Sequence, residues 1–173
     1  MSSDELTSAE RELLQRRARA LAAPVAEQTE ETLWIAEFPI GGAPHGLPLA
    51  SLRAVLPLKA VTPVPLSDPH VLGVLRFEGQ VISALSLSAL LGGRGWRVDP
   101  EVLLIVDPGW GVLVALDSEQ IPKATAVSAA AADRARGRSG DALAELELGG
   151  GRKVRLIDPR LLLDRRAGDR HAH

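Results

Sequence analysis

Hydrophobic positions change period near Leu33, and that change divides the chain. Before it, residues 7–22 follow a helical pattern, with Leu13, Leu14, Ala18 and Leu21 forming a narrow apolar stripe. Thr7 and Glu10 have the spacing of a capping box, and Glu12 and Arg16 are an i,i+4 pair. Pro24 ends the pattern, and residues 23–31 read as a polar linker. The helix either lies against the body of the protein or docks a partner.

From Leu33 onward the pattern predicts short strands. Leu33–Ile40 alternates, with Trp34, Ala36, Phe38 and Ile40 on one face, and Gly41-Gly42 starts a turn. Pro57, Pro63, Pro65 and Pro69 favour extended chain and turns over helix. Val71–Phe77 and Gln80–Leu87 form a hairpin about Glu78-Gly79. One helical turn follows over Leu87–Leu91, stopped by Gly92-Gly93. Val102–Val106 is a continuous aliphatic run and predicts a strand buried on both faces. Asp107-Pro108-Gly109 turns the chain into Gly111–Leu116. Residues 128–141, rich in Ala, Arg, Gly and Ser, read as a mobile surface loop. Leu143–Leu148 alternates with Glu145 and Glu147, and Lys153–Ile157 pairs back across three glycines. Asp158-Pro159 opens a short C-terminal helix, with Asp as N-cap and Pro at the first position. Short strands punctuated by Gly and Pro predict a mainly β protein, a barrel or sandwich, with pauses near 92–99 and 128–141 dividing them into two groups.

Composition narrows the chemistry. A net charge of −2 argues against nucleic acid as partner. With no cysteine, disulfides, thiolate metal sites and cysteine nucleophiles are excluded. The polar N-terminus lacks a signal-peptide pattern, and no apolar run reaches the ~20 residues of a membrane span, so a cytoplasmic protein without membrane insertion is expected. His45 and His70 fall beside prolines in expected loops, while His171 and His173 lie in the terminal tail, so no metal centre is expected. Ser83, Ser86 and Ser88 lack a nucleophile-elbow context and read as solvent-facing. No phosphate-binding loop is present. Asp107 and Asp158 read as turn caps, and Arg134, Arg136 and Arg138 as a solvated loop without interleaved aromatic residues. Catalytic residues and cofactors are therefore not expected.

Leu52-Arg53-Ala54-Val55-Leu56, Val61-Thr62-Pro63-Val64-Pro65, Val71 to Ile82 and Leu87 with Leu90-Leu91-Gly92 follow one another in an order that resembles the CheW-like family of chemotaxis adaptors. Leu52-Arg53-Ala54-Val55-Leu56 is similar to that family's V-x-E-V-L segment, and Val61-Thr62-Pro63-Val64-Pro65 to its I-T-P-V-P stretch. Val71 to Ile82 resembles its V-x-G-V-x-N-L-R-G-x-V-I core, and Leu87 with Leu90-Leu91-Gly92 its D-L-x-x-L-L-G ending. The resemblance runs from about Leu33 to Leu163. It implies two SH3-like five-stranded β-barrel subdomains in a domain over 32–164, after an N-terminal helix and linker (1–31) and before a disordered tail (165–173). It further implies a non-enzymatic adaptor between the cytoplasmic tip of a chemoreceptor and the regulatory domain of a CheA-type histidine kinase.

For the receptor side the resemblance implies Leu52, Ala54, Gly73, Arg76 and Glu78. For the kinase side it implies Leu47, Leu49, Val61, Val64 and Leu66, which barrel-core packing would explain equally. Two departures stand out. The family's characteristic Arg is Glu78 here, a charge reversal, and its usual Glu is Ala54. Glu78 is then left alone or finds Arg76 or Arg53. A divergent adaptor with an altered receptor groove is expected. The alternatives are a family member that has lost receptor or kinase binding, and an unrelated small β-barrel ligand-binding protein.

Overall fold

The computed structural model describes residues 31–93 and 99–169, and the fold belongs to the unit that begins at Thr32. The helix expected over 7–22, most of its linker, and the last four residues lie outside the described residues.

Ten strands form two five-stranded sheets. The first sheet takes β1 (Thr32–Ile40), β2 (Ala43–Pro48), β8 (Lys123–Ser128), β9 (Leu143–Glu147) and β10 (Lys153–Ile157), in the order β8-β1-β2-β10-β9. The second takes β3 (Leu52–Pro57), β4 (Val71–Phe77), β5 (Gln80–Leu85), β6 (Val102–Val106) and β7 (Val114–Ser118), in the order β3-β6-β7-β5-β4. Both sheets have one pattern of pairing. An antiparallel edge strand is followed by a hairpin, then a parallel contact (β2 with β10, β7 with β5), then a second hairpin. The first sheet is thus a circularly permuted copy of the second. Its first two chain segments, β1 and β2, occupy the places that β6 and β7 hold at the other unit's end.

The copy extends to residues. Leu75, Ile82 and Ala84 of the second sheet hold the register positions of Leu146, Val154 and Leu156 in the first. Each set is buried in the core of its own sheet. A capped helix follows in each case. Ser86 accepts from the Ala89 N–H to start α1 (Leu87–Leu90), and Asp158 accepts from the Arg160 and Leu161 N–H groups to start α3 (Pro159–Asp169).

Strand β6 explains how the two halves share a core. Val102, Leu104 and Val106 join Phe38, Leu47, Leu116 and Ile157 in a cluster drawn from both sheets, sealed by Leu87, Leu90, Leu162 and Leu163 from α1 and α3. Its alternate residues, Leu103 and Ile105, fill the second sheet's own cluster. Period two therefore sends successive side chains into different cores, and the whole run is apolar as expected.

Several expectations are corrected. Residues 128–141 are not a loop: Ala129–Ser139 is a helix, α2. Ser128 caps its start, Gly140 closes it in left-handed backbone, and Ala132 and Ala135 pack into the core of the first sheet. Alanine permits that close approach and favours helix. Ser86 and Ser88 are buried, whereas Ser83 is exposed as expected. His45 lies buried in β2, where Nδ1 bonds the Ala43 carbonyl at 2.8 Å. Trp34 faces solvent, while Ile35 and Glu37 on the other face of β1 are buried. The C-terminal helix continues to Asp169, past the expected boundary at 164. Five strands per unit match expectation, but among the described residues no ladder closes either sheet into a barrel. In the second sheet one bridge, Thr62 with Val74, ties the chain beyond β3 to the opposite edge at β4.

Candidate functional site

The residues expected on the receptor side fall on two elements. Leu52 and Ala54 are half-buried on β3. Gly73, Arg76 and Glu78 belong to the β4–β5 hairpin, where Gly73 sits at a register shift. Gly73 has φ +150°, and a Cβ there would meet the Thr62 carbonyl oxygen at 2.2 Å. Only glycine lets the Thr62–Val74 bridge form, with its hydrogen bonds of 2.7 and 2.9 Å. Arg76 is exposed. Glu78 is exposed in a two-residue turn at φ +48°, and it makes no ion pair among the described residues.

Arg53, one of the expected partners of Glu78, is engaged elsewhere. The ladder between β3 and β6 shifts register between Leu52 and Ala54, which leaves Arg53 as the extra residue of a bulge. Its guanidinium reaches Asp107 Oδ2 at 2.6 Å. Asp107 Oδ1 accepts the Gly109 N–H at 2.8 Å, so the expected turn cap is present. The Arg53 hydrogen bond, with that of Gly109, holds the Asp107 carboxyl below its ordinary range.

The residues expected on the kinase side separate by burial. Leu47 has no exposed surface and belongs to the shared core, so it is a packing residue and offers a partner nothing. Leu49 and Val61 are half-buried. Val64 is 41% exposed and Leu66 is fully exposed, in left-handed backbone at φ +58°. Their loop is fixed rather than loose. The Ser67 hydroxyl donates to the Val64 carbonyl at 2.9 Å, Val71 N–H to Asp68 at 2.8 Å, and Ser86 N–H to His70 at 2.7 Å. Pro63, Pro65 and Pro69 restrict the intervening backbone further.

The fold buries three carboxylates to which the sequence assigns no role, Glu37, Asp117 and Glu119, the last accepting the Gly41 N–H at 2.9 Å. Glu37, 5% exposed, receives Thr125 Oγ1 at 2.8 Å and Arg152 Nη1 at 2.5 Å, with Lys123 Nζ at 3.4 Å. Burial pushes its pKa up, but the Thr125 hydrogen bond and the two cations outweigh that and leave it below 4.5. This group clasps β1, β8 and the β9–β10 turn. Asp117, 1% exposed, accepts the Leu87 N–H at 2.6 Å and so holds α1 to β7. All three carboxylates are accounted for by structural bonds.

Among the described residues, no cluster of His, Asp and Glu could hold a metal ion, and no helix is long and apolar enough to cross a membrane.

The described residues form twin sheets around a shared core, with Val64 and Leu66 exposed on a hydrogen-bonded loop. The sequence profile of the CheW-like domain matches residues 35–167, and the chain belongs to that family. The fold is also that of the scaffolding protein TtCheW from Thermoanaerobacter tengcongensis, with a TM-score of 0.61 at 12% identity over 76% of this chain and 92% of that one. No curated protein matches in sequence. Family membership removes the unrelated-barrel reading.

Proposed function

We infer that this protein is a non-enzymatic scaffold in a chemosensory complex, an adaptor in the cytoplasm between a chemoreceptor tip and the regulatory domain of a CheA-type histidine kinase. The family match over 35–167 carries the reading. In this reading each sheet, with its capping segment, is one SH3-like subdomain of the domain over 32–164. The kinase contact uses Leu49, Val61, Val64 and Leu66. The receptor contact uses Leu52, Ala54, Arg76 and Glu78, with Gly73 holding the hairpin to the loop. Glu78 stands unpaired in a groove where the family carries a cation. Its charge alters receptor choice more than affinity, because charged groups act mainly on specificity and encounter.

A titration of the full chain against the kinase regulatory domain and a receptor-tip fragment from the same genome tests the reading. Binding to both is expected. Binding to one alone identifies a specialised scaffold that has lost a contact, and binding to neither refutes the adaptor role.

A further inference from the structure

A cleft of about 510 Å³ opens where β3, the β6–β7 loop, α2 and α3 meet. Three arginines line it, Arg53, Arg136 and Arg160, each from a different element. Leu33, Pro48 and Pro159 supply apolar wall. The chain as a whole is at −2, so this gathering of cations does not follow from composition.

Asp107 and Asp158 also line the cleft, and both are engaged. Asp158 Oδ1 accepts the Arg160 and Leu161 N–H groups at 3.0 and 3.1 Å. Asp107 is held by Gly109 N–H and Arg53. The arginines are less committed. Arg136 reaches Asp133 only at 3.4 Å, and that carboxylate is 76% exposed. Arg160 makes no ion pair among the described residues. Arg53 stands on a bulge, a device that re-aims a side chain. Its pair with Asp107 is itself solvent-exposed and therefore weak to exchange.

We propose that this cleft binds an acidic segment of a partner polypeptide, a carboxylate side chain beside an apolar one. Arg136 and Arg160 take the carboxylate, Arg53 exchanges Asp107 for it, and the apolar neighbour lies on the Leu33–Pro48 wall. A planar guanidinium fork matches a carboxylate with two parallel hydrogen bonds. Nucleic acid fits less well, because no aromatic residue lines the cleft for base stacking. The proposal rests on the adaptor reading for the partner being a protein, and it adds a second contact. Arg53 is exposed whereas its neighbours Leu52 and Ala54 are half-buried.

The test uses the full chain and a fluorescein-labelled peptide of alternating Glu and Leu, followed by fluorescence anisotropy. A Gln/Leu peptide is the neutral control, and a single-stranded oligonucleotide is the competing polyanion. The Glu peptide should bind about tenfold tighter than the Gln peptide and weaken as salt rises. Arg136→Gln with Arg160→Gln should remove that preference, and Arg53→Gln should reduce it, with melting temperatures unchanged. Equal binding of both peptides, unchanged binding by the variants, or tighter binding of the oligonucleotide overturns the proposal. A kinase-domain titration run beside it separates the two readings. Kinase binding without peptide preference sinks only this proposal, and an arginine-dependent peptide preference without kinase or receptor binding sinks only the adaptor.

Discussion

Gly73 offers a sharp test of how the exposed loop is held. A Cβ there lies 2.2 Å from the Thr62 oxygen, 2.8 Å from the Thr62 carbonyl carbon and 2.9 Å from Pro63 Cα, all backbone atoms. None of these can swing away as a side chain can. Gly73→Ala must therefore push the 62–63 segment off β4 and break both Thr62–Val74 hydrogen bonds. Two lost hydrogen bonds cost ~1–3 kcal/mol together. The positive φ of +150° adds a conformational penalty of ~1–2 kcal/mol. The sum is ~2–5 kcal/mol, a large part of a typical stability of ~5–15 kcal/mol. Gly79→Ala is the matched control: its φ is +80°, but nothing lies within 4 Å of the added Cβ. It should cost only the conformational part, ~1–2 kcal/mol. Urea titrations followed by circular dichroism measure both. Equal losses for the two variants would refute the collision and, with it, the claim that Gly73 pins the loop carrying Val64 and Leu66.

Leu47→Ala should destabilise by ~2–5 kcal/mol because its side chain is fully buried, whereas Leu66→Ser should leave stability within ~0.5 kcal/mol and weaken kinase binding; denaturation and titration of each check this. Glu37 has its pKa lowered from 4.5, so its contribution is full above that value and is lost as pH falls through the lower folded value. Glu37→Gln should cost ~1–3 kcal/mol near neutrality and flatten the acid limb of the stability curve, measured by urea titration across that range. Burial lowers the His45 pKa from 6.5, with Arg155 adding to the fall and the Ala43 hydrogen bond opposing it. The folded state thus favours the neutral ring, stability declines as pH drops below 6.5 until the folded pKa is passed, and His45→Gln should remove that slope in the same titrations.

Much of the second sheet was legible because its signals are local. The β4–β5 hairpin declares itself through two apolar runs about Glu78-Gly79, and β6 through an unbroken aliphatic run. Asp107 and Asp158 cap turns as their Asp-Pro context predicts. Sequence and structure part where composition points one way and position another. Ser128 before four alanines and Gly140 after the last turn are helix start and stop signals, yet the Ala-Arg-Gly-Ser content suggested a loop. His45 sits between two prolines in sequence, but Pro44 and Pro48 are tolerated in β2, and pairing on both sides buries the ring. The Glu37 clasp had no local signal, since Arg152 lies 115 positions away and only the fold brings the two together. The same holds for the cleft arginines, which come from β3, α2 and α3.

The internal repeat shows where the two halves stop being equivalent. After β8 the chain forms α2, and Ala132 and Ala135 cover the core of the first sheet. After β3, at the corresponding place in the second sheet, the chain carries Pro63, Pro65 and Pro69 and forms no long helix. Proline removes helix donors and fixes extended backbone, so this segment covers its core only with half-buried Leu58 and Val61. Its remaining apolar side chains, Val64 and Leu66, turn to solvent. The same position in the repeat thus seals one half and exposes apolar surface on the other. Exposure of a leucine on a loop fixed by hydrogen bonds and prolines carries no folding advantage, but it lowers the ordering cost of a contact with another protein. On the adaptor reading, the kinase should therefore bind the second sheet's loop end and leave the α2 end untouched. Loss of kinase binding on Ala130→Glu, an exposed α2 position, with Leu66→Ser silent, would invert that assignment.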